Sequence, residues 1–163
     1  MQDKENVTYL NILIDTLKKK ESVLRELTQA TDEQAVLLDH PELDIDAFNK
    51  LVDEKEKLLE KLENLDEGFM SIYEKVREIL AADAASYAEQ VKQTQELVKT
   101  QTDLSTALQA AEERNKSKMT VHLSRGHQKI KDFKVNSKTA AAYYKNMSGK
   151  HQNGDSYFFN KKK

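Results

Sequence analysis

Leu13, Leu17, Leu24, Leu27 and Leu38 fall on one stripe spaced by threes and fours, interrupted by Lys20, Thr31 and Gln34. That spacing belongs to one face of an α-helix and predicts a first helix from about Glu5 to Leu38. The segment His40-Pro41-Glu42-Leu43 ends it, because proline cannot continue a helix. Asp44 is a natural N-cap for a second helix, with Asp46 in the favourable first turn. Phe48, Leu51, Lys55, Leu58, Leu62, Leu65, Phe69, Ile72, Val76 and Ile79 then alternate steps of three and four, and only Lys55 breaks the apolar rule. Such a seam is coiled-coil-like and needs partner helices. Gly68 inside it either weakens the helix by about 1 kcal/mol or permits close packing.

Around Ala81-Ala82-Asp83-Ala84 the pattern is ambiguous. Asp83 can cap a third helix, yet alanine favours continuation, and an unbroken second-plus-third helix would span on the order of 110 Å. A turn is expected, because folding back lets the chain cover its own seams. The third helix, Ala84 to about His122, is poorer in large apolar residues. Tyr87, Val91, Val98, Leu108 and Met119 form a dilute stripe, with Gln101, Ser105, Glu112 and Asn115 along it. Two readings stay open: a helix with a mostly wet face, or a seam left underfilled for a partner.

From Arg125 onward the periodicity is broken by Gly126, Asn136, Gly149, Asn153 and Gly154, and lysines recur. The composition predicts a largely disordered tail. Within it, Ser137 to Met147 has an N-cap candidate, an alanine run and a Gly149 stop. Ala140, Tyr143, Tyr144 and Met147 would share one face of a short helix that folds only against a groove. The expected organisation is a helical bundle over 1–125 and a basic tail over 126–163 carrying the amphipathic segment 137–147. The expected fold class is all-α, an antiparallel bundle of three long helices.

Charge sharpens this division. The net charge of −2 hides 13 Lys and Arg against 26 Asp and Glu in residues 1–113, and 13 against 2 in residues 114–163. An acidic body thus precedes a basic end. The chain has one Pro, four Gly and no Cys, which removes disulfides and thiolate chemistry. No signal peptide or membrane-length apolar run is read, so a cytoplasmic protein with no membrane insertion is expected.

The motifs of phosphate loops, dinucleotide folds, zinc proteases and serine hydrolases are absent from the sequence. His40, His122, His127 and His151 do not share a helical face at metal-ligand spacing. No enzyme activity and no cofactor are therefore expected. Tyr143, Tyr144, Tyr157, Phe158 and Phe159 lie among lysines, as in single-strand binders. The tail has few arginines and the body is acidic, so nucleic acid is not the expected partner.

The stretch Leu43-Asp44-Ile45-Asp46-Ala47-Phe48, followed by Leu51-Val52-Asp53-Glu54-Lys55-Glu56-Lys57-Leu58-Leu59-Glu60-Lys61-Leu62, resembles flagellar export chaperones of the FlgN/FliT kind. Tyr9-Leu10, Leu13-Ile14, Leu17 and Glu21 fit the same pattern, and the resemblance covers about residues 7–113. It implies a cytoplasmic bacterial chaperone for flagellar axial proteins, such as hook–filament junction or cap subunits, delivered to the export gate of a type III secretion apparatus. It also implies that the C-terminal part engages the substrate and that a tyrosine, Tyr143 or Tyr144, docks on the gate.

The candidate partner-binding residues are Val98, Leu108, Met119, Ala140, Tyr143, Tyr144 and Met147. A monomer or weak homodimer is expected. The alternatives are a structural coiled coil that self-associates through the second-helix seam, and a nucleic-acid-associated helical protein.

Overall fold

The computed structural model describes residues 2–125 of the chain. Three helices fill nearly all of it: α1 (Gln2–Asp39), α2 (Ile45–Asp83) and α3 (Ala88–Arg125), with a short 3-10 segment at Ala85–Tyr87 before α3. No strand occurs among the described residues. The basic tail and the expected segment 137–147 lie outside them.

The two reversals are made differently. At the first, Pro41 lies in the loop and Asp44 is extended (φ −76°, ψ 94°), its side chain accepting a hydrogen bond from the Ala47 N–H. This satisfies one of the N–H groups that the first helical turn leaves unpaired. At the second, the Asp83 carboxylate accepts from the Ser86 N–H at 3.3 Å, and the Tyr87 N–H donates to the Ala84 carbonyl at 3.1 Å. The expected turn after Ala82 is therefore present.

Cross-helix contacts give the directions. Lys20 meets Asp66 and Lys55 meets Gln34, so numbers rise along α1 as they fall along α2, and the two are antiparallel. Between α1 and α3 the partners are Leu17 with Gln101, Thr31 with Asn115 and Leu38 with His122, each 84 positions apart. A constant offset means parallel helices, and 84 is twelve heptads, so equivalent heptad positions face each other along the length. The α1 backbone lies close to both partners, while α2 and α3 meet chiefly through longer side chains.

Three apolar clusters stack along the axis. At the end holding the second reversal are Leu10, Leu13, Leu17, Phe69, Tyr73, Val76, Leu80, Tyr87 and Val98. In the middle are Val23, Leu24, Leu27, Leu62 and Leu108. At the first reversal are Leu38, Phe48 and Val52, with Leu43 and Met119 packed against them.

The α2 seam is broader than the alternation of threes and fours predicts. Phe48, Leu62, Phe69 and Val76 are buried as expected, and so are Val52, Asp66, Tyr73 and Leu80, one turn on from that column. Leu51, Leu58, Leu65 and Ile72 are only half-buried. A helix covering one neighbour buries two columns; α2 contributes to a core shared by two, and so uses three. Gly68 is exposed, and a Cβ there would meet nothing within 4 Å, which leaves helix weakening as its effect.

Candidate partner-binding surface

The residues that interrupt the apolar stripes come together. Lys20 of α1 lies 2.6 Å from the Asp66 carboxylate of α2, with its ammonium 4.7 Å from the centre of the Phe69 ring. The two charged side chains are 5% and 10% exposed, so each is the other's main replacement for water.

A second layer crosses all three helices. The Lys55 ammonium of α2 donates to the Gln34 side-chain carbonyl of α1 at 2.8 Å and to the Glu112 carboxylate of α3. Glu112 also accepts from the Thr31 hydroxyl at 3.0 Å, and the Asn115 amide donates to the Thr31 carbonyl at 3.0 Å. Burial pushes the Lys55 amine below its ordinary value, and the adjacent Glu112 carboxylate partly offsets this by favouring the charged form.

The inner face of α3 is polar yet enclosed. Gln101 is fully buried and its amide donates to the Leu17 carbonyl at 2.6 Å. Thr94 and Asn115 are 1% and 5% exposed. The wet face envisaged for this helix is therefore not wet: α1 and α2 cover it. Among the described residues three buried polar atoms lack a hydrogen-bond partner, the Thr94 hydroxyl, the Gln101 side-chain carbonyl and the Ser105 hydroxyl, and all three are on α3. Each orphaned group forfeits hydration without replacement, which leaves α3 the least well-satisfied helix of the three.

Of the expected partner-binding residues, Val98 (2% exposed) and Leu108 (fully buried) belong to the core clusters, and Met119 is half-buried against Leu38, Phe48 and Val52. Ala140, Tyr143, Tyr144 and Met147 lie outside the described residues. The larger apolar side chains that do face outward are Ile12, Val36, Met70 and Val121. They are spread over all three helices and were not singled out by periodicity, since they fall off every stripe. Among the described residues no group of three or more metal-ligating side chains is gathered, and no helix is long and apolar enough to cross a membrane.

No curated relative and no solved structure matches the chain. Its sequence does match the FlgN family, described as FlgN protein, over residues 1–148. That match spans the whole bundle and runs on to the residue after Met147. The match covers the Pro-broken first helix, the acidic lead-in at Leu43–Phe48 and the long leucine-seamed second helix, and the chain belongs to the FlgN family of flagellar export chaperones.

Proposed function

We propose that this chain acts in the cytoplasm by binding alone, without catalysis, on late axial subunits of the flagellum. Its substrates are the hook–filament junction or cap proteins, which it keeps apart from one another and delivers to the type III export gate. The observation that carries this reading is the family match over residues 1–148.

The contact region is proposed for the α3 end and the segment that follows. Ala140, Tyr143, Tyr144 and Met147 are the apolar side chains of that segment at helical spacing. Val98 and Leu108 can join only if α3 leaves α1 and α2, whereas Met119 is already partly open. The gate would engage Tyr143 or Tyr144. Ordering a short segment on binding costs conformational entropy, which suits a complex that must release its cargo.

The test is co-purification of the full chain with purified hook–filament junction and cap proteins, beside a form ending at Arg125. A stoichiometric complex with one of them, lost in the shorter form, is the expected result. Failure of the full chain to bind any late axial subunit would refute the substrate assignment. Equal binding by both forms would move the contact onto the bundle.

A further inference from the structure

The reversal between α2 and α3 is made of residues that favour a straight helix. From Leu80 to Ala88 the sequence is Leu-Ala-Ala-Asp-Ala-Ala-Ser-Tyr-Ala, with neither Gly nor Pro and with alanine, the best helix former, at five of nine places. No described residue takes a positive φ. Ala84 (φ −69°, ψ −32°) and Ala88 (φ −54°, ψ −39°), which flank the 3-10 segment, are right-handed helical. The first reversal is of the opposite kind, since Pro41 and the extended Asp44 bar a continuous helix there.

The heptad phase also runs through the second reversal unbroken. Tyr73, Leu80, Tyr87, Thr94, Gln101 and Leu108 follow at steps of seven, and all are buried. The last inward column of α2 is therefore the first inward column of α3. The local bonds of the turn are few, Asp83 to the Ser86 N–H and hydroxyl and the Tyr87 N–H on the Ala84 carbonyl, and the Tyr87 hydroxyl, between Asn6 (3.0 Å) and Asp3 (3.3 Å), ties it to α1.

We propose that this junction straightens and that two copies of the chain exchange their α3 helices. Ile45–Arg125 then forms one helix of about 80 residues, roughly 120 Å long. Each α3 lies on the α1–α2 pair of the other copy, parallel to its α1 and in the same register. The face vacated by α3 is thus occupied by the α3 helix of a second copy. The Gln101 bond to the Leu17 carbonyl and the Lys55–Glu112 ion pair are kept, because only the owner of each partner changes. Straightening replaces the single 3-10 bond of the turn with α-helical bonding through residues 84–87, and association entropy opposes it. The equilibrium therefore depends on concentration.

The test is the mass of the full chain by light scattering and sedimentation from micromolar to millimolar concentration, with solution scattering for particle length. An elongated dimer growing with concentration is expected. Ala85→Pro separates exchange from side-by-side pairing. The Ala85 position is the first of the 3-10 segment, where proline costs only the αR preference of Ala84, but in a straight helix it is interior and also loses a helical hydrogen bond and meets the carbonyl four residues back. There proline weakens each hinge by roughly a hundredfold, so a dimer with two such hinges should dissociate about ten-thousandfold more readily. Asp83→Ala/Ser86→Ala removes the turn's cap and should shift the balance toward dimer. A chain monomeric throughout this range, even with the cap removed, overturns the proposal. So does a dimer whose strength neither the proline nor the cap variant alters.

Discussion

Lys55 and Glu112 offer a decisive test of how the bundle is held. Lys55→Met removes the ammonium and leaves Glu112 between helices with the Thr31 hydroxyl as donor, while Gln34 loses the donor at 2.8 Å. Stranding one member of a fully buried pair costs about 3–5 kcal/mol. These side chains are 11% and 17% exposed, so solvent relieves part of that, and about 2–3 kcal/mol is expected. Glu112→Leu should cost less. The Lys55 pKa is already lowered by burial, and losing the carboxylate that raises it lets the amine shed its proton and escape the charge penalty. Lys55→Met/Glu112→Leu removes both charges and should fall within about 1 kcal/mol of the unaltered chain, since apolar groups of similar volume replace buried ion pairs with little loss.

The assay is urea unfolding followed by helical circular dichroism, with all four proteins in one buffer. The coupling energy of the cycle should be at least about 1 kcal/mol. Single-variant losses that simply add, with coupling below about 0.5 kcal/mol, would refute the reasoning and show the pair to be solvated in solution.

Three further outcomes follow from the same geometry. Gly68→Ala should stabilise the bundle by about 1 kcal/mol, raising the thermal midpoint by a few degrees, because the added methyl meets nothing and only the helix propensity changes; no rise would contradict the open placement of Gly68. Asp44→Ala should cost about 1 kcal/mol in urea unfolding through loss of the bond to the Ala47 N–H, and Asp44→Asn should restore most of it. For pH, the folded Lys55 amine loses its proton at lower pH than the unfolded one, so between those two values the unfolded chain binds more protons and stability rises with pH. Measured relative to Lys55→Met/Glu112→Leu, the unaltered chain should gain stability across that alkaline window, and a relative loss there would contradict the burial of Lys55.

The helices and the first break were legible because leucine spacing, Pro41 and Asp44 act locally. The breadth of the α2 stripe was less so: spacing shows that a column is apolar, but burial of Asp66 depends on Lys20 arriving from another helix. For the same reason Thr31, Gln34, Lys55, Glu112 and Asn115 could be seen as interruptions but not as one another's partners. The second reversal was ambiguous because its residues have no local preference for turning; the decision is made by α1, which rewards folding back. Val98 and Leu108 stand among the candidate partner-binding residues because a dilute stripe does not reveal that two neighbours already cover it. The flagellar family was legible from the order of elements, which depends on sequence alone.

The polar layers explain why the offset between α1 and α3 is 84 and not one heptad more or less. The apolar layer of Leu24, Leu62 and Leu108 cannot set it, because leucine packs nearly as well against a leucine seven residues along α1, at Leu17. Sliding α3 by one heptad toward the N-terminus of α1 would bring Glu112 to the level of Leu24 and away from Lys55 and Thr31, leaving a carboxylate and an ammonium buried apart. That would cost several kcal/mol against a leucine layer nearly indifferent to the shift. Gln101 and Asn115 set no register by themselves, since main-chain carbonyls recur along α1; they contribute only where the charged layer has already placed them. A helix can thus hold a polar, incompletely satisfied inner face and still occupy one position, because its specificity comes from the few charged contacts and its adhesion from the apolar ones. Register and direction are encoded separately from strength, so α3 can be weakly held without being loosely placed.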